Sequence, residues 1–373
     1  MEMAAQPELI FVQSILSERG AEAHVTATRA LADIDFSFLD AVRCADVAAA
    51  LVHSLTTHAG VAAVCDWACG ALFNLSCIHA GKSACVAAGA PRAVVAALTT
   101  HAGLAAVCEA GCKVLANFAA SDVGQAACVA AGAPRAVVAI LFTHLGVAAV
   151  CKAGCWLLAN TAGGDGGEAA CPCVAAGAPR AVVAALSTHA GVADVCEQSR
   201  TALSNMASSH AGASTCAQEV IAALTTHAGE AAVCAQGCWA LGCIAANEED
   251  QDACVAAGAP RAIVTALTIH ADVADVCELG SWALATIAAS DAGGAACMAA
   301  GAPRAVVAAL TTHAGVVAVC EWGCRALRKI ANSDAGKAAC VAAGAPRAVA
   351  AALTTHAGVP AVCEWDCGVL GSI

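Results

Sequence analysis

"SDAGGAACMAAGAPRAVVAALTTHAGVVAVCEWGCRALRKIA" fills residues 290–331, and three helices fit its 42 residues. Ser290 and Asp291 supply a cap for a short first helix over "AGGAACMAA". In "GAPR", Gly301 offers a C-terminal turn and Pro303 suits the first turn of the next helix. "RAVVAALTT" is the second helix, "HAG" breaks again, and "VVAVCEWGCRALRKIA" is the third and longest.

The same unit recurs along the chain. "AAGAPRA" starts at Ala87, Ala130, Ala175, Ala256, Ala299 and Ala342. The threonine–histidine landmark places His58, His101, His144, His189, His227, His270, His313 and His356 at gaps of 43, 43, 45, 38, 43, 43 and 43 residues. The long gap holds the insertion "GGDGGEAACPCV"; the short one lacks "AAGAPR" altogether. A fixed period of this size marks an array in which each repeat buries its apolar face against its neighbours. A divergent capping repeat is expected over 1–45, where "ELIFVQSIL" and "AHVTATRALADI" echo the second and third helices. About eight repeats are expected over 46–373, with a shortened unit near 208–245 where a local kink would split the binding face.

Composition supports this plan. Alanine, the best helix former, is abundant, tyrosine is absent, and aromatics are 3% of 373 residues. The net charge is −12, from 17 basic and 29 acidic residues, with no basic run. That balance argues against nucleic acid and favours a cationic protein or peptide partner. No stretch reads as a spanning helix, and "MEMAAQPELIFVQ" has no positively charged leader. Free thiols in a reducing compartment, the cytoplasm or also the nucleus, are therefore expected for the 25 cysteines. A monomer is expected, with no membrane association.

The third helix carries the recurring chemistry. On a wheel, Val319, Cys320, Gly323, Cys324, Leu327, Ile330 and Ala331 share one stripe, so both cysteines face inward. The pairs are Cys65/Cys69, Cys108/Cys112, Cys151/Cys155, Cys234/Cys238, Cys320/Cys324 and Cys363/Cys367, but the second member is Arg200 in one unit and Ser281 in another. A ligand set that loses members without other change is packing, so neither a metal nor any other cofactor is expected. The histidines are expected to cap or pack their turns. Cys171 and Cys173, in "CPC", are a possible exposed thiol pair. Arg92, Arg135, Arg180, Arg261, Arg304 and Arg347 begin second helices, where their charge opposes the helix dipole, and are expected to pair with acids of adjacent units or cap first-helix carbonyls, with a binding ladder as the alternative.

All six tryptophans lie on third helices. Trp156, Trp239 and Trp282 share the register of Arg325, which is Gly70, Lys113 and Thr201 in other units; Trp67, Trp322 and Trp365 lie three residues earlier. Four residues after that register come Asn74, Asn117, Asn160 and Asn205, then Cys243, Thr286 and Lys329. Asp66, Glu109, Glu197, Glu278 and Glu364 form an acidic row. Stacked repeats turn such registers into ladders. An indole there either anchors a partner or fills the crease between helices, and a carboxamide both donates and accepts.

This three-helix unit, with "AGA" at the first break and third helices such as "VCKAGCWLLANTA", resembles armadillo repeats over nearly the whole chain. The resemblance implies an all-α, right-handed α-solenoid whose third helices line a concave groove. In the nuclear-import adaptors of that family, a Trp and an Asn four residues later hold an extended peptide. That implies a partner-binding role for Trp156 with Asn160, for Trp239 and Trp282, and for Asn74, Asn117 and Asn205, with Lys113 and Arg325 standing where Trp is absent. The expected function is a non-enzymatic scaffold for a protein or extended peptide. An import-adaptor-like binder of basic peptides and a thiol-based redox or metal sensor are the alternatives. No phosphate loop or nucleophile elbow is present.

Overall fold

The computed structural model describes residues 7–17, 20–37, 39–163, 171–208 and 210–359, and every regular element among them is an α-helix. Trp365, Cys363, Cys367 and Glu364 lie outside the described residues. The unit quoted above folds as Asp291–Ala299, Ala302–Thr312 and Val317–Ile330. The other three-helix units follow the same plan, giving an α-solenoid of stacked repeats.

Local chemistry accounts for the breaks. Ser290 Oγ accepts from the Gly293 amide at 3.0 Å and so caps the first helix. Gly301 has φ 83°, in the left-handed region that glycine enters without penalty, and Pro303 sits in the first turn beyond it. First and second helices therefore meet at bends of 68–75° in five repeats. Among the described residues no single helix is long and apolar enough to cross a membrane.

Third helices stack on one another and second helices pack beside them. The wheel prediction holds: Val319, Cys320, Gly323, Cys324, Leu327 and Ile330 are buried, whereas Arg328 is exposed. Glycine recurs in that stripe because a side chain of the second helix occupies its place. A Cβ on Gly323 would lie 2.7 Å from Leu310 Cδ2, and one on Gly111 2.6 Å from Leu98 Cδ2.

The histidines do more than pack. Each ends a second helix, and His101, His144, His270, His313 and His356 bring Nε2 within 2.7–3.0 Å of the backbone oxygen of Ala59, Ala102, Ala228, Ala271 and Ala314. That alanine always follows the preceding repeat's histidine. The first cysteine of the third helix donates to the same class of carbonyl, Cys108 to Ala102 at 3.5 Å and Cys320 to Ala314 at 3.6 Å. One carbonyl thus accepts an imidazole from the next repeat and a thiol from its own. Hydrogen bonding from one repeat to the next and turn capping account for the histidine and the first cysteine. The ladder begins at His58, whose Nε2 is buried and has no partner among the described residues. Its ring instead meets His24 edge-on at 4.2 Å. Burial, His24 and His53 together hold His58 below the usual imidazole range.

Two units depart from the plan. In the shortened one, the missing "AAGAPR" leaves a single uninterrupted helix, His210–Thr226, where other repeats have two. A similar fused helix, Ala41–Thr57, runs across residue 45, so the divergent first unit (Pro7–Ser17 and Ala21–Ala32) ends in the turn before it. The contacts divide the chain into two compact units, one built from residues within 7–163 together with 171–185 and 197–202, the other from 186–196 and from 203 onward.

Candidate functional site

In the first unit, the third helices Ala62–Ser76 and Ala105–Phe118, with the end of Ala21–Ala32, enclose an open cavity of ≈ 420 Å³. Its lining includes Asp33, Asp66, Trp67, Gly70, Asn74, Glu109 and Lys113. Gly70 occupies the register that is tryptophan in other repeats, and a Cβ placed there would meet only Ala32 Cβ, at 3.8 Å. The cavity is the space of an absent indole.

The electrostatics are specific. Burial and then the neighbouring Glu109 raise the Asp66 carboxyl above its usual range. Glu109 is bridged by Lys113. The Arg29 guanidinium lies 5.2 Å from the Trp67 ring centroid. An indole face beside carboxylates that repel one another suits a cation, either an ammonium or a guanidinium.

Asn74 and Lys113 line this cavity. The asparagine ladder has a further duty there: Asn74 Nδ2 donates to the Ala32 oxygen at 2.7 Å, Asn117 to Ser76 Oγ at 2.8 Å, and Asn160 to the Ala116 oxygen at 2.8 Å. Each carboxamide ties its third helix to the preceding one. Asn205 keeps the same register on Ala193–Met206. Trp156 is half-buried, one turn before Asn160.

In the second unit the indoles fill the crease. Trp239 and Trp282 lie 5.8 Å apart between centroids, Trp282 and Trp322 6.2 Å. A Cβ on Gly242 would lie 2.4 Å from the Trp282 ring, so the indole rests on that glycine. Arg325 sits over Trp322 at 4.9 Å. All these indoles remain half-buried, neither fully outward nor wholly interior. The residues sequence alone left out of the site are Trp67, Asp66 and Glu109; the signal for them was the glycine that interrupts the tryptophan register.

Burial holds the thiols of the third helices as neutral groups. Burial pushes Cys108 and Cys151 up to about 11 and Cys155 to about 12, and Cys112 higher still, with Cys108, Cys69 and Cys155 adding to it. "CPC" is not an exposed pair: Cys173 is buried against Thr161 Oγ1 at 3.3 Å, and Cys171 is half-buried. A hydrogen bond from Cys173 and backbone amides lower Cys171 to about 6, against the opposing effect of burial. The "GAPR" arginines also depart from expectation: all six are exposed, and none of their guanidinium groups bonds to or pairs with any described residue. Their second helices contain no acidic residue that could reach them.

No family model matches this chain, and no curated protein matches it. Among solved structures, it is similar to an engineered protein whose crystal structure came from the Northeast Structural Genomics Consortium, at 26% identity and a TM-score of 0.64, over 98% of this chain and 88% of that one. It is also similar to a chain solved in a study of a phosphorylation switch controlling the interaction between cadherin and beta-catenin. That match has 13% identity and a TM-score of 0.50, and covers 98% of this chain and 77% of the other. At that identity the likeness concerns the fold.

Proposed function

We propose that this chain is an armadillo-type solenoid and a non-catalytic scaffold that binds an extended segment of a partner protein along its third helices. The observation that carries the reading is the cavity at Gly70, where Trp67, Asn74, Asp66 and Glu109 surround a space sized for one long cationic side chain. A lysine or arginine would lie along the indole, relieve the repulsion between the carboxylates and take up the role Lys113 fills in the free protein. Asn117, Asn160 and Trp156 extend the track, with Asn205, Trp239, Trp282 and Arg325 at equivalent registers beyond. Carboxylates and thiols that recur once per repeat do not assemble a reaction centre, and unoxidised buried thiols suit the cytoplasm or nucleus.

The test is binding of labelled lysine-rich and glutamate-rich peptides by fluorescence anisotropy. Asp66→Asn is expected to weaken the lysine-rich peptide about tenfold, or ~1.4 kcal/mol. Asp291→Asn, on an exposed first-helix start elsewhere, should change little. Equal losses in both variants would reduce the interaction to net charge and refute the site.

A further inference from the structure

The six "GAPR" arginines segregate charge in an unexpected way. The second helices that carry them, from Ala90–Thr100 to Ala345–Thr355, hold six of the chain's 17 basic residues and none of its 29 acidic ones. Each guanidinium stands at the positive end of a helix, is exposed, and has no partner among the described residues. Within the second unit, Arg261, Arg304 and Arg347 thus stand on helices without a carboxylate, the nearest acidic residue of the neighbouring fused helix being Glu219.

At one of these arginines the surface is also hollow. A cavity of ≈ 400 Å³ opens between the fused helix His210–Thr226 and the second helix Ala259–Ile269. Ile221, Leu224 and Ala262 line it with apolar groups, together with Thr225, Thr265 and Arg261. Ala302–Thr312 and Ala345–Thr355 pack in succession onto Ala259–Ile269, so Arg304 and Arg347 continue the cationic line within the same unit. An apolar hollow beside an unpaired guanidinium fits an aliphatic side chain flanked by a carboxylate.

We propose that the Arg261 cavity is a docking site for an acidic protein segment, distinct from the third-helix cavity. A leucine or similar side chain enters the hollow, an adjacent Asp or Glu takes the Arg261 guanidinium, and further carboxylates run toward Arg304 and Arg347. Bidentate geometry makes arginine the residue for such a carboxylate.

Anisotropy with a labelled glutamate-rich peptide bearing one leucine tests this, alongside a twin with glycine in its place. The leucine peptide should bind more tightly than its twin. Arg261→Glu should weaken it by about tenfold, while Arg92→Glu, at an equivalent register in the first unit and away from the Arg261 cavity, should change it by less than about twofold. Ala262→Phe, which fills the hollow, should erase the preference for leucine and leave the twin unaffected. Circular dichroism confirms that each variant is folded. Equal losses with Arg261→Glu and Arg92→Glu, or no leucine preference, would overturn the proposal. So would a DNA duplex of matched charge that competes as well as the peptide, since that would make the face a general polyanion surface. Asp66→Asn should leave this peptide's affinity unchanged, so the two sites fail independently.

Discussion

The two compact units solve one problem in two ways. Stacked third helices leave a crease between them. In the first unit Asn74, Asn117 and Asn160 bridge it with hydrogen bonds to the preceding helix. In the second unit, at the same register, Cys243, Thr286 and Lys329 cannot do so equally, and Trp239, Trp282 and Trp322 fill the crease with stacked rings. At Gly70, where the hydrogen bond is present and no side chain occupies the indole register, the crease opens as a cavity. A binding site here is an unfilled position in a repeating packing scheme.

The largest expected effect concerns what the units share. Ten buried thiols are raised to about 11 or 12, six in the first unit and four in the second. The folded chain keeps those protons while the unfolded chain releases them from about pH 9, so stability present below pH 9 is lost as pH rises toward 11. Each thiol costs about 1.4 kcal/mol per pH unit in that window. Alkali should therefore unfold the protein before pH 11, as followed by circular dichroism and hydrogen exchange. Stability independent of pH from 9 to 11 would contradict the burial of the thiols.

A smaller effect separates the two solutions. Trp282→Ala removes a ring packed on Gly242 and on two other indoles, and should cost the second unit about 2–4 kcal/mol. Asn117→Ala removes one hydrogen bond between repeats and should cost the first unit about 1 kcal/mol. Denaturant unfolding of both variants measures this; equal costs would erase the distinction drawn between indole and carboxamide. The smallest effect on stability, within about 0.5 kcal/mol, is expected from Gly70→Trp, whose Cβ meets only Ala32 Cβ at 3.8 Å and whose indole enters the open cavity. The same variant should abolish binding of the lysine-rich peptide, and retained binding would place the site elsewhere.

Much of this was legible along the chain because repetition multiplies weak signals. One "GAPR" is a suggestion; six at a fixed period place the glycine in its left-handed turn, the proline beyond it and the helices on either side. The inward cysteines followed from a wheel that reads the same in copy after copy. The cavity was harder to see, because it depends on what a position lacks. Gly70 looked like a lapse from the tryptophan register, and only packing showed that its neighbours leave the space empty. The arginines misled for a related reason: a charge set against a helix dipole suggested an internal partner, yet the second helices present no carboxylate to meet it.

The sequence by itself determined the period, the three helices of each unit and which stripe of the third helix is buried, since these follow from propensity, capping and periodicity within some 40 residues. Tertiary structure alone decided that histidine and cysteine share one alanine carbonyl, that asparagine holds the neighbouring repeat, and where cavities remain. Those outcomes depend on atoms about 42 residues apart meeting within hydrogen-bond distance, and no local preference encodes that distance.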